Sequence, residues 1–156
     1  MNRLGGLQRL LLTGTGNWWS RQALLILIYH RVLAEPDELL PGEPTASEFA
    51  AQMDLMASLC RVLPLAEAVE RLRDGSLPPR AACITFDDGY ANNLELAGPI
   101  LRERGLPAMV FVATGFTAGG CMWNDVVIEA VRAASSPLDL REWGLGQPQP
   151  GDAASR

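Results

Sequence analysis

The chain has 156 residues, of which 48% are apolar and 20% charged, a composition that fits one globular domain or a part of one. Its net charge of -5 and isoelectric point near 4.8 exclude a basic surface field, so nucleic acid is not expected as a partner. All 13 basic residues are arginines, and the absence of lysine excludes P-loop and Schiff-base lysine chemistry.

Residues 1–22 are interpreted as an N-terminal extension. No small-residue cleavage pattern follows its apolar stretch, so no signal peptide is predicted and a cytoplasmic location is favoured. A packed helix is the preferred interpretation, and a peripheral membrane contact is the alternative. The residues concerned are Leu7, Leu10, Leu11 and Trp18. No transmembrane segment is predicted, because the longest apolar run, residues 23–29, is far shorter than the roughly 20 residues that span a bilayer.

Apolar runs of strand length alternate with helical patterns from residue 23 onward. Residues 23–29, 81–86 and 108–114 are predicted to be strands buried in a parallel sheet. Alternation of strands and helices predicts an α/β architecture, either an open sheet or a barrel. In both, side chains that follow the carboxyl ends of the strands face the ligand, and His30 and the Asp87-Asp88 pair occupy such positions.

Two helices are predicted between the first two strands. Thr45 and Glu48 have the spacing of a capping box. The apolar face of the helix that follows is formed by Phe49, Met53, Met56, Leu59 and Cys60. The second helix should present Leu65, Val69 and Leu72 on one face and end before Gly75. A further helical segment should run to Arg104 and Gly105, and another should span residues 126–134.

Asp87, Asp88 and Gly89 suggest chemistry at the end of the second long strand. Of two adjacent carboxylates, one can hold a divalent cation while its neighbour takes a proton from a cation-bound water, a combination suited to hydrolysis of an amide or ester. The structural alternative is an ordinary Asp-Gly turn with an aspartate that caps a helix.

The sequence ITFDDGY, residues 84–90, resembles the first motif of the polysaccharide deacetylase (NodB-homology) family, also called carbohydrate esterase family four. Neighbouring segments resemble members of the same family over most of residues 23–131. They are YHRV at 29–32, GSLP at 75–78, LPAMVFVATGF at 106–116 and WND at 123–125.

The resemblance implies a distorted (β/α) barrel with fewer strands than the usual eight, of which this chain would form a part. It also implies removal of N-acetyl or O-acetyl groups from an acetylated polysaccharide, the expected partner. Asp87 matches the catalytic base, and Asp88 matches the carboxylate ligand of a divalent metal, usually Zn²⁺. His30, Gly89 and Tyr90 match residues that line the active site.

Three residues near this motif have alternative structural interpretations. His30 could simply form a hydrogen bond at the end of its strand. Trp123 and Asp125 could line the substrate cleft, or they could pack against and cap the helix that follows. Capping is the preferred interpretation for Asp125.

The family's second motif is a pair of histidines at positions i and i+4, which share the cation with the aspartate. This chain contains one histidine in total. Residues 23–156 are therefore interpreted as the N-terminal part of a deacetylase domain, truncated before the histidine pair. Such a partial barrel is expected to leave a strand edge and apolar faces uncovered, to bind metal weakly and not to turn over substrate.

Two other functional classes fit parts of the sequence. A phosphoryl-transfer domain could use Asp87 or Asp88 as phospho-acceptor, but the missing lysine argues against it. A degenerate deacetylase-like module could bind saccharide or dock to a partner without catalysis, and the sequence leaves this alternative open.

Overall fold

The computed structural model describes residues 23–135 and 141–144. The N-terminal extension, with its helix and membrane interpretations, lies outside these residues. The described elements are β1 (Leu25–Tyr29), α1 (Ala46–Leu59), β2 (Arg61–Val62), α2 (Leu65–Arg73), β3 (Ala81–Phe86), α3 (Gly98–Glu103), β4 (Met109–Val110) and α4 (Trp123–Ala133). A π-helical turn, Asn93–Ala97, leads into α3, and short 3₁₀ turns occur at Thr114–Phe116 and Arg141–Trp143.

The four strands form one open sheet in which every pair is parallel. β3 lies in the middle, and β1 pairs with it along one edge, from Leu25 opposite Ala82 to Tyr29 opposite Phe86. On the other edge, β2 pairs with the start of β3 and β4 with its end. The predicted α/β architecture with a parallel sheet is thus confirmed.

Both faces of β3 are covered, and all six of its residues are buried, as predicted. Alternate residues point to opposite faces of a strand, so β3 contributes to two clusters. The larger one includes Ala82, Ile84 and Phe86 from β3, together with Val32, Phe49, Met53, Met56, Ala97 and Leu101. The smaller one contains Ala81 and Cys83 with Ala68 and Leu77. The core therefore centres on this strand.

The predicted burial of the other two strands was wrong. Alternate residues of β1 are only partly buried, and Ile26 and Ile28 on its second face are 44% and 61% exposed. β4 is only two residues long instead of seven, and both residues are exposed. The physical reason is that β4 lies at the sheet edge and that no described element covers the face carrying Ile26 and Ile28.

The helices follow the predicted pattern with one difference. In α1, Phe49, Met53 and Met56 are buried as expected. In α2, by contrast, Ala68 is buried and Leu72 is exposed, because the helix meets the sheet through its small residue. None of the helices among the described residues has the length and apolar character needed to cross a membrane.

The predicted capping box of α1 is present. The Glu48 N–H donates to the Thr45 hydroxyl oxygen over 3.3 Å, and the Glu48 carboxylate accepts from the Thr45 N–H over 2.9 Å. The Thr45 hydroxyl also donates to this carboxylate over 2.8 Å. These bonds satisfy backbone donors that the first helical turn leaves without partners.

Replacement of Thr45 with valine is expected to lower the free energy of unfolding by about 1 kcal/mol, because the cap loses its hydroxyl oxygen. Thr45→Ser keeps that oxygen and should therefore lose less stability. Urea denaturation, monitored by circular dichroism, measures the free energy of unfolding of both variants. Equal stability of Thr45→Val and Thr45→Ser would contradict the contribution of the capping box.

Candidate active site at the carboxyl end of the sheet

His30 and the carboxylate pair lie at the same end of neighbouring strands. Tyr29 and Phe86 are paired as the last residues of β1 and β3. The Asp87 N–H donates to the Tyr29 carbonyl over 2.8 Å, so the chain leaves both strands at the same level. The predicted position of His30 and Asp87 at the carboxyl end of the sheet is confirmed. Their roles remain predictions.

The turn after β3 has an unusual backbone. Asp88 has φ of +71° and Gly89 has φ of +78°. The turn is held by a 2.9 Å bond from the Gly89 N–H to the Asp87 carbonyl and a 3.0 Å bond from the Ala113 N–H to the Asp88 carbonyl. A non-glycine residue in the left-handed region costs conformational energy, although aspartate tolerates it better than most. Such strain is concentrated at functional sites, which makes Asp88 a candidate.

Position 89 favours glycine for two reasons, its backbone conformation and the closeness of a neighbouring residue. A Cβ atom on Gly89 would lie 3.1 Å from Cγ1 and 3.3 Å from Cα of Val112. Val112 follows β4, whose pairing with β3 brings this segment against the turn. The resemblance assigned Gly89 to the lining of the active site. In the structure, the group that approaches closely is Val112.

The five predicted site residues do not all face one cavity. Asp88, Gly89 and Tyr90 line a cavity of about 240 Å³. The start of α4 contributes Asp125 to the same cavity. His30 is exposed and lines a different cavity of about 420 Å³ beside β1 and α1.

Arg31, Tyr90 and Asp125 form a polar cluster beside the Asp88 cavity. The Arg31 guanidinium carbon lies 3.7 Å from the centroid of the Tyr90 ring, and Arg31 Nη2 forms an ion pair with Asp125 Oδ1. The Tyr90 hydroxyl donates to Asp125 Oδ2 over 2.9 Å. Each side chain therefore contacts the other two.

Two members of the cluster, Arg31 and Tyr90, have shifted pKa values. Burial alone lowers the pKa of the Arg31 guanidinium, but the hydrogen bond to Asp125 and the contacts with Tyr90 outweigh it, so the net pKa is raised. Burial raises the pKa of the Tyr90 phenol, the bond from Asn124 opposes this, and the bond to Asp125 adds to it. At neutral pH, Arg31 is therefore charged and Tyr90 is neutral.

The capping interpretation of Asp125 was wrong. The N-cap position of α4 is Met122, which makes no side-chain capping bond, and Asp125 lies in the first turn with its carboxylate engaged by Arg31 and Tyr90. Trp123 is 80% exposed and so does not pack. Sequence reasoning did not assign a role to Arg31. The available signal was its position directly after His30 in the YHRV segment.

The donor set for a metal ion is incomplete. Within residues 23–135 and 141–144, no group of three or more His, Cys, Asp or Glu side chains is arranged to hold an ion. Zinc sites use three or four protein ligands. Asp88 can supply part of such a set, and Asp125 is already paired with Arg31. These residues do not fit a complete cation site.

Comparison with known proteins places this site in a family context. Residues 74–135 match the polysaccharide deacetylase family model. This segment includes β3, the Asp87-Asp88 turn and α4, so the resemblance seen in the sequence is confirmed over these residues. No curated protein sequence matches the chain.

Solved structures that share the fold include two deacetylases. IcaB from Ammonifex degensii is 28% identical, with a TM-score of 0.50 over 69% of this chain and 48% of IcaB. The Streptococcus pyogenes deacetylase PplD, solved with acetate, is 22% identical, with a TM-score of 0.54 over 69% of this chain and 52% of PplD. The chain thus spans about half the length of these structures.

Gly75 provides a matched control for the close contact at Gly89. It also has positive φ, but no atom lies within 4 Å of the position that its Cβ would occupy. Gly75→Ala should show only the backbone penalty of the left-handed region. Gly89→Ala should lower the free energy of unfolding by about 1–3 kcal/mol more, because its Cβ also meets Val112. Equal losses of stability in Gly75→Ala and Gly89→Ala, measured by urea denaturation, would contradict the close contact at Gly89.

A second series tests the strain at Asp88. Asp88→Gly is expected to raise the free energy of unfolding by up to about 1 kcal/mol, because glycine adopts positive φ without a steric penalty. Asp88→Asn should have nearly the stability of the parent chain, and Asp88→Ala should be the least stable of the three variants. Thermal denaturation of the three variants gives the order, and equal stability of the Ala and Gly variants would show that Asp88 is unstrained.

Proposed function

We propose that this chain carries the carboxylate part of a hydrolase site that removes N-acetyl or O-acetyl groups from a polysaccharide. The observation that supports this most directly is the placement of Asp88. It follows the buried strand β3 in a strained conformation, lies within the segment that matches the family model, and lines a cavity. A strained backbone conformation at the end of a buried strand favours a functional role over an ordinary turn.

The proposed roles follow the resemblance residue by residue. Asp87 acts as the base that accepts a proton from the attacking water. Asp88 would supply one ligand of a divalent cation, with Zn²⁺ as the expected ion. The chain has a single histidine, so the histidine pair would have to come from beyond these 156 residues.

This division of the ligand set predicts the behaviour of the isolated chain. Acetate release from an N-acetylglucosamine oligomer should be absent with the purified chain. Refolding together with a polypeptide that bears the histidine pair of a related deacetylase should produce activity. Asp87→Asn in the reconstituted sample should lower that activity by about 100-fold or more.

Glu95→Gln is the matched control, because it removes one negative charge from an exposed side chain away from the turn. It should leave the activity of the reconstituted sample unchanged. Strong acetate release by the chain alone, abolished by Asp87→Asn, would refute the incomplete-site proposal.

Saccharide binding by the chain distinguishes the proposed cation-centred site from a non-catalytic saccharide-binding module. If the chain binds the oligomer and this binding is lost with a chelator and with Asp88→Ala, the site is centred on a cation. If binding survives both treatments, a saccharide-binding module without catalysis is the better account. Isothermal titration calorimetry measures all three conditions.

A further inference from the structure

We propose that Arg31 is a positioning residue, which holds Tyr90 and the first turn of α4 in place around the Asp88 cavity. This inference rests on the proposed function, because it concerns the shape of the proposed binding site. The three side chains come from three segments of the chain. Arg31 follows β1, Tyr90 follows the carboxylate turn, and Asp125 lies in the first turn of α4.

The contacts around Arg31 suit a guanidinium rather than an ammonium group. The guanidinium carbon lies over the Tyr90 ring, 3.7 Å from its centroid, while Nη2 pairs with the Asp125 carboxylate. A planar, delocalised cation can make both contacts at once, whereas lysine offers a compact charge without a stacking plane. The side chains of Arg31 and Asp125 are only 15% and 14% exposed, so water and salt screen this pair less than a surface pair.

The position of α4 depends on polar contacts of this kind, because no residue of α4 is buried. Val126 and Val127 are more than half exposed, so apolar burial contributes little to its attachment. At the opposite end of the helix, Arg132 Nη2 lies 2.6 Å from Asp37 Oδ2. The Arg31 cluster thus anchors the end of α4 nearest Asp88, and the Arg132 pair anchors the far end.

Loss of Arg31 has a defined structural consequence. Asp125 would lose its charged partner, and the Tyr90 ring would lose the cation that covers one face. Tyr90 and Asp125 both line the Asp88 cavity, so their release would change the wall of the cavity without removing a carboxylate from the turn. The effect of Arg31 on ligand binding is therefore indirect.

The chain offers a direct reporter, because it contains only two tyrosines, Tyr29 and Tyr90. Labelling with 3-fluorotyrosine should give two ¹⁹F resonances. Arg31→Met is expected to shift and broaden the Tyr90 resonance. The Tyr29 resonance should move less, because its hydroxyl is bonded to Gln52. Arg31→Lys, which keeps the charge, should give an intermediate shift and remain folded if the Met variant does not.

Arg132→Met is the matched control, since it removes the same type of side chain from an ion pair at the far end of α4. It should leave the Tyr90 resonance in place. An unchanged Tyr90 resonance in Arg31→Met, or equal shifts in the two Met variants, would overturn the positioning role.

Titration with an N-acetylglucosamine oligomer supplies the functional readout. Arg31→Met should bind the oligomer about tenfold more weakly than the parent chain, equivalent to a loss of about 1.4 kcal/mol, and Arg132→Met should bind like the parent. A shifted Tyr90 resonance with unchanged affinity would show that the cluster is only structural, and would overturn the proposal. Absence of binding by the parent chain would count against the proposed function, and the ¹⁹F result would then decide the role of Arg31 alone.

Discussion

The central strand β3 is the constraint on which the rest of this structure depends. Its residues are buried on both faces, and its backbone pairs with β1 along one edge and with β2 and β4 along the other. Buried backbone groups must be hydrogen-bonded, so a strand in this position leaves little freedom in register. The point at which the chain leaves the sheet after Phe86 is therefore fixed, and the carboxylate turn is fixed with it.

Burial decreases from β3 to β1 and α4. The strand itself is fully covered, β1 is covered on one face, and α4 has no buried residue. Polar contacts replace apolar packing where burial ends, as in the cluster of Arg31, Tyr90 and Asp125. Sites that are built from a rigid strand end and a less firmly packed element are common, because loops and helix ends carry function on a rigid scaffold.

The predicted site residues do not form a complete active site within this chain. The sheet places two carboxylates and an exposed histidine at one end, yet His30 opens to a different cavity from Asp88. The described residues supply too few donors for a metal ion, and the chain spans about half the length of the deacetylase structures that share its fold. The proposed function therefore assigns to this chain the carboxylate part of a shared site.

The sequence by itself determined the local elements: the buried run of β3, the capping box at Thr45, and the position of Asp87 and Asp88 after a strand. These follow from patterns between residues that are close in sequence. Only the tertiary structure decided that Ile28 is exposed, that Gly89 is crowded by Val112, and that Asp125 binds Arg31 instead of capping α4. Exposure and partner choice depend on residues far apart in the chain, here 94 positions for Arg31 and Asp125, and no local pattern encodes such a distance.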